Sequence, residues 1–239
     1  MTWNNQTGEG FSPEPLPLPE GLLLVSDPHD VYFQQAWDIQ KRAFVQSGYF
    51  DSDDQFDAKY TRYLPYSCCI VGVVDDVVMG SVQLLLPNPH GLITIEDAKS
   101  GLLKIDDQGW ELLRQCDPCT LLECNISVDN AYRGRPFDPN NLPNRLVAGA
   151  VLFSMRFAME KLGAQARSLA IAGLDQSYYH FLQRQEYGPA IHPLGPVTED
   201  YLGGPTIPVL VDGDEIAAYT NVRRVIEPML RALGRLTQK

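Results

Sequence analysis

Apolar positions along this chain change their spacing several times, and each change marks an element. Phe33, Ala36, Trp37 and Phe44 recur at helical intervals. Ser26-Asp-Pro28 reads as the start of that helix, with Asp27 capping and Pro28 in the first turn, and Gly48 as its stop. Tyr49 to Asp57 then reads as an acidic loop. Ser67 to Val74 and Val77 to Leu86 are rich in β-formers and meet at Asp75-Asp76, which predicts a hairpin. Residues 94–116 mix periods and predict a partly helical excursion. Leu121 to Val128 is an apolar strand with one carboxylate, Glu123, in its middle. Residues 144–162 form a helix that is apolar nearly all round and ends at Gly163. A strand over Ser168 to Ala172, a short helix over Asp175 to Gln185, a strand over Pro205 to Val211 and a helix from Glu215 onward complete the pattern.

An antiparallel beginning followed by a later crossover predicts an α+β fold, a mixed central sheet flanked by helices. Residues 11–20 hold four prolines and predict an extended segment, so residues 1–20 read as a proline-rich arm. That arm is either a plain tail or a ligand for a proline-binding domain. Residues 21–239 then form one domain.

Composition narrows the function classes. The chain has 239 residues, 44% of them apolar and 21% charged, as expected of a globular protein. No apolar run reaches the roughly 18 residues of a membrane span, and the first residues lack the pattern of a secretory signal. A cytoplasmic location is the expectation. A net charge of −11 repels nucleic acid and anionic membranes, and weighs against docking an acidic carrier protein. Five cysteines, an odd number, predict reduced thiols. Cys68-Cys69 reads as core. Cys116-Asp-Pro-Cys119 has redox-motif spacing but follows a helical segment, and no second pair completes a zinc site. No metal is expected, the four histidines being scattered.

The chemistry gathers around Glu123. After the strand that carries it comes Arg133-Gly134-Arg135, and after a Pro/Asn-rich stretch comes the long apolar helix. A basic glycine turn leading into a helix can cradle phosphate, because backbone N–H groups and the positive helix end face the turn. The two guanidinium groups suit a pyrophosphate or a phosphopantetheine phosphate. A buried carboxylate upstream can accept a proton from an amine nucleophile; its plainer reading is a salt-bridging core glutamate. Together these features point to acyl transfer from a phosphopantetheine thioester to an amine. Asp54 and Asp57 either hold the positive charge of an amine substrate or belong to a solvated acidic loop with Asp51 and Asp53. No serine stands in a nucleophile-elbow pattern, so hydrolysis is unsupported.

The element order and several short strings resemble the GNAT superfamily of N-acetyltransferases. Within it the chain is similar to the branch of acyl-homoserine-lactone (autoinducer) synthases and N-acyl amino acid synthases. The strings are Arg42-Ala-Phe44 followed by Asp54-Gln-Phe-Asp57, then Val78-Met-Gly-Ser-Val-Gln-Leu84, then Glu123 with Ser127-Val128. A weaker one is Leu194-Gly-Pro196 followed by Tyr201-Leu-Gly-Gly204.

The resemblance implies the GNAT-like fold, Glu123 as catalytic base, and a splayed strand edge at Ser127 and Val128 that bonds the pantetheine arm beside Arg133, Gly134 and Arg135. It places Asp54, Asp57 and Gln83 at the acceptor. It further implies acyl-CoA or an acyl-carrier-protein thioester as co-substrate, and an amino acid or S-adenosylmethionine-like amine as acceptor. If a long acyl chain binds, part of the helix from Val147 to Met159 would line its path. Three arginines of the lactone synthases are replaced, by Gln83, Ile126 and Gln40. The phosphate turn also departs from the superfamily pattern. The superfamily's tyrosine acid corresponds to a region with Tyr178 and Tyr179, nearest Leu182, and no acid is assigned. The leading expectation is N-acyltransfer. The alternatives are a short-chain acetyltransferase using acetyl-CoA, and a non-catalytic acyl-carrier-binding module on the same fold.

Overall fold

A computed structural model describes residue 16 and residues 18–129 and 142–232. Strand β1 (Leu22–Val25) leads into helix α1 (Val31–Gln46) and helix α2 (Asp53–Tyr60), which runs on into a 3-10 turn, Thr61–Tyr66. A hairpin of β2 (Ser67–Val74) and β3 (Val77–Leu85) follows, then α3 (Ile93–Lys99), α4 (Asp107–Arg114) and β4 (Leu122–Val128). The second half holds α5 (Leu142–Leu162), β5 (Leu169–Asp175), α6 (Gln176–Gln183), β6 (Ile191–Pro193), β7 (Thr198–Tyr201), β8 (Gly204–Asp212), α7 (Gly213–Ala218) and α8 (Thr220–Ala232).

The eight strands form one mixed sheet in the order β1-β2-β3-β4-β5-β8-β6, with β7 also paired to β8. Every pairing is antiparallel except that of β4 with β5. That parallel junction is brief: Leu122 pairs with Ala170 and Glu123 with Ile171, and no register pair follows. From Cys124 onward β4 stays with β3 alone while β5 stays with β8. The sheet therefore opens between its two halves, just beyond Glu123.

Helices cover both faces. On one, α5 sets Leu146, Phe153 and Phe157 against Ile70, Val82, Leu84 and Leu122, and Val151, Leu152 and Met155 against Ala172 and Val209. Gly149 of α5 comes close to β1 and β2, where an added Cβ would meet Ile70 and Leu22 at 3.1 Å. On the opposite face, Phe33, Ala36 and Ile39 of α1 pack on Cys69, Val71 and Val78. Phe56, Tyr60 and Tyr63 pack beside them on Leu85, Ile171 and Leu210. No described helix is long and apolar enough to cross a membrane.

Much of the sequence pattern reappears. Asp75 and Asp76 both take positive φ, as a tight hairpin turn between twisted strands requires. Gly48 and Gly163 take positive φ just past α1 and α5, as helix stops. Cys68 and Cys69 are buried and all five thiols are free. Other expectations need correction. Asp30, not Asp27, caps α1 through the Tyr32 N–H, while Asp27 closes a small turn onto the His29 N–H. The acidic loop is largely helix: Ser52 caps α2, and Asp53 and Asp54 fill its first turn, where carboxylates favour the positive helix end. The excursion over 94–116 resolves into two short helices, and the C-terminal helix breaks at Tyr219. Of the arm, Leu16 and Leu18 pack against the core, Leu16 touching the clusters of both halves of the sheet.

The α3–α4 excursion docks by close backbone approach. A Cβ on Gly109 of α4 would stand 1.9 Å from the Leu194 carbonyl oxygen, and backbone cannot move aside as a side chain can. Gly109→Ala is therefore expected to cost about 2 kcal/mol, as overpacking does, and to lower the melting temperature by roughly 5 °C. Thermal denaturation followed by circular dichroism measures this; an unchanged midpoint would refute the close docking.

Candidate active site

Glu123 is 3% exposed, on the last paired residue of the β4–β5 junction. Its carboxylate meets the N-terminus of α3. Thr94 donates its backbone N–H to both oxygens at 3.2 Å and its hydroxyl to Oε1 at 2.8 Å. The helix has no cap of its own, since Leu92 stands at the N-cap position. Glu123 thus supplies the cap from across the fold. Burial pushes its pKa up to about 7; the hydrogen bonds from Thr94 and from the Ile93 N–H hold it from rising further. A carboxyl group titrating there can take up a proton near neutral pH.

Tyrosines and a second carboxylate surround it. Asp97 of α3 accepts from Lys59 Nζ at 2.5 Å and from the Tyr201 hydroxyl at 2.5 Å, and its charge adds to the upward shift of Glu123. Burial, with the Glu123 and Asp97 charges behind it, holds the Tyr60 phenol protonated. The Lys59–Asp97 pair joins α2 to α3 and neutralises itself.

The register assigns side chains to faces. Glu123 pairs with Leu85, Asn125 with Gln83 and Ser127 with Ser81. These alternate residues share the α1 and α2 side of the sheet. Leu122, Cys124, Ile126 and Val128 take the α5 side, where they join its apolar cluster. Gln83 is 3% exposed and donates to Ser67 Oγ at 3.1 Å. Of the residues expected at the site, Glu123, Gln83 and Ser127 thus lie on one face, and Val128 on the other. Asp57 is tied into the α1–α2 junction, accepting from Lys41 Nζ at 2.7 Å and Trp37 Nε1 at 3.3 Å. Asp54 is exposed on the first turn of α2. Arg133, Gly134 and Arg135 lie outside the described residues. Among those described, no three metal-ligating side chains stand together.

Where β4 and β5 part, the next helix contributes a tyrosine. Tyr178 is 36% exposed. Burial of its hydroxyl, with the Cys124 thiol nearby, raises its pKa to about 12. Leu182, the position nearest the expected acid, is buried in the core instead. The sequence held Tyr178 and Tyr179 side by side with nothing to rank them; only the opening beside Cys124 does so.

Known structures share this fold. LasI, an acyl-homoserine-lactone synthase, superposes with a TM-score of 0.52 at 11% identity, over 80% of this chain and 89% of its own. BjaI, a CoA-dependent acyl-homoserine lactone synthase solved with S-adenosylmethionine and isopentyl-CoA, gives 0.52 at 15% identity, over 89% and 88%. FeeM, an N-acyl amino acid synthase from uncultured soil microbes, gives 0.47 at 16%, over 77% and 95%. No family model matches the sequence, and no curated protein matches it significantly. At these identities the likeness is one of fold alone: the chain folds as LasI and BjaI do.

Proposed function

We propose that this protein is an N-acyltransferase, moving an acyl group from an acyl thioester to the amine of a small metabolite. One observation carries the reading: a buried glutamate with a pKa near 7 stands where the sheet opens between β4 and β5. In that opening no described strand pairs with β4 beyond Glu123 on the β5 side, a geometry that suits a pantetheine arm. Helix α5 begins at Leu142, and its positive end suits the phosphates of that donor, with Arg133, Gly134 and Arg135 proposed as their partners. BjaI, with isopentyl-CoA bound, supports coenzyme A as the carrier; an acyl carrier protein is the other donor. The acceptor is an amino acid or a related amine, with Asp54, Asp57 and Gln83 at its entry. Cytoplasmic thioester pools fit these co-substrates.

The reaction needs few parts. The amine lone pair attacks the thioester carbonyl carbon, forming the C–N bond, while Glu123 takes the amine proton directly or through water. The C–S bond then breaks, and the thiolate leaves with the bonding pair. Tyr178, kept protonated, donates a hydrogen bond to that sulfur and can pass it the proton. The products are an amide and a free thiol.

Glu123→Gln keeps an oxygen that can cap α3, so it tests the base without removing the cap. Turnover is expected to fall by about 10²–10⁴, as for a lost acid–base group. Mass spectrometry of organic extracts should then find a new N-acyl species in cells making the intact protein and none with the variant. An equal yield from both would remove Glu123 from the mechanism; no product from either would sink the reading. Tyr178→Phe is expected to lower kcat by about tenfold with KM unchanged, which steady-state kinetics would test.

The raised pKa also fixes a pH dependence. Glu123 binds its proton more tightly folded, at about 7, than in an unfolded chain, at its ordinary 4.5. It therefore favours folding at low pH, and that contribution is lost as pH rises from 4.5 through 7. The stability of Glu123→Gln relative to the intact protein is expected to grow between pH 5 and pH 8, by roughly 3 kcal/mol at most. Denaturant titrations at both pH values measure it, and a constant difference would contradict the shift. For activity, kcat/KM is expected to rise through an apparent pKa near 7.

A further inference from the structure

On the α1 side of the sheet two apolar clusters, bridged by Trp37, flank polar ground. One cluster joins Phe33 and Ala36 to Cys69 and Val71. The other gathers Trp37, Phe44 and the α2 aromatics on Leu85 and Ile171. Between them the strand register sets Ser81 beside Ser127 and Gln83 beside Asn125. Helix α1 lies across β2, β3 and β4. Its Gln40 comes one turn after Ala36 and one before Phe44, on the stripe that faces the sheet. Gln40 is 2% exposed, and its Nε2 has no hydrogen-bond partner among the described residues. A buried amide donor left without an acceptor is costly, and the helix stripe that carries it faces the sheet.

The ground is also uncharged. No lysine or arginine is buried among the described residues. The half-buried Lys41 and Lys59 are engaged by Asp57 and Asp97. Glu123 lies on the same face of β4 as Asn125, two residues and about 7 Å along the strand. A substrate carboxylate here would meet no free cation of the described residues on this ground and would lie near an ionised Glu123. Both effects disfavour a second buried negative charge.

We propose that Gln40 is a specificity-determining residue for the acceptor, donating its Nε2–H to an uncharged carbonyl oxygen of an amino-acid-like amine, an amide or ester rather than a free carboxylate. The inference rests on the N-acyltransfer reading and names the substrate class for that site. The amine of such a molecule stands on the Glu123 side, and its carbonyl reaches under α1.

The test uses the full chain with coenzyme A and carrier-protein thioesters of acetyl, hexanoyl and dodecanoyl groups. The acceptors are the natural amino acids and their amides, with rates corrected for the fraction of unprotonated amine. The amides are expected to react with kcat/KM at least about tenfold above the matching acids, the worth of one buried hydrogen bond. Gln40→Leu is expected to raise KM for the amides about tenfold while kcat changes by less than about twofold. Its melting temperature without ligand is expected to equal or exceed that of the intact protein, because the orphaned donor is gone. A melting temperature lower by several degrees would mean the amide is bonded within the fold, and would overturn the proposal. So would an unchanged KM, or a preference for free amino acids, both of which leave N-acyltransfer standing. No amide product from any pair would overturn the N-acyltransfer reading, and this inference with it.

Discussion

The short parallel junction of β4 and β5 is the constraint on which the rest of the molecule depends. Two register pairs join two antiparallel half-sheets, and the strands then separate. Neither half could hold that opening alone. Helix α5 spans it on one side, packing on strands of both halves. The aromatic cluster around Phe56, Tyr60 and Tyr63 spans it on the other, from Leu85 to Ile171 and Leu210. The opening is thus a fixed feature of the fold, since closing it would require both helical layers to repack.

Glu123 ties chemistry to architecture at that same point. Its burial raises its affinity for a proton, and its contact with α3 uses the same oxygens to end a helix that carries no cap of its own. The two demands pull in opposite directions: desolvation favours the neutral acid, while the N–H and O–H donors favour the anion. The balance falls near neutrality. Asp97 on the next turn of α3 adds its charge, so the Lys59–Asp97–Tyr201 group adjusts the balance as well as clasping α2 to α3.

How much of this was legible in the sequence depends on the distance over which each signal acts. Local signals read well: Asp75-Asp76 made its turn, Gly48 and Gly163 made their stops, and the apolar run before Gly163 made α5. Competing local signals did not. Asp27 and Asp30 are both able caps, and the fold uses Asp30. Strand β1 is four residues long and takes its meaning from β2, so no period announced it. Within the site, Glu123 stood out because a carboxylate amid Leu121, Leu122 and Ile126 is anomalous. The α3 contact, the Tyr178–Cys124 neighbourhood and the orphaned amide of Gln40 arise between segments distant in sequence, and no local pattern encodes them.

Cys124 sits next to Glu123 and along the opened edge, a hazardous address for a thiol under the proposed acyl transfer from a thioester. A thiolate there would capture the acyl group by transthioesterification and turn the protein into its own substrate. Burial, with the Glu123 carboxylate beside it, raises the Cys124 pKa to about 12. At neutral pH only about one molecule in 10⁵ then carries the reactive thiolate. The desolvation that raises the glutamate's affinity for a proton thus keeps its neighbour from giving one up, and in the proposed reaction the same environment would suppress self-acylation.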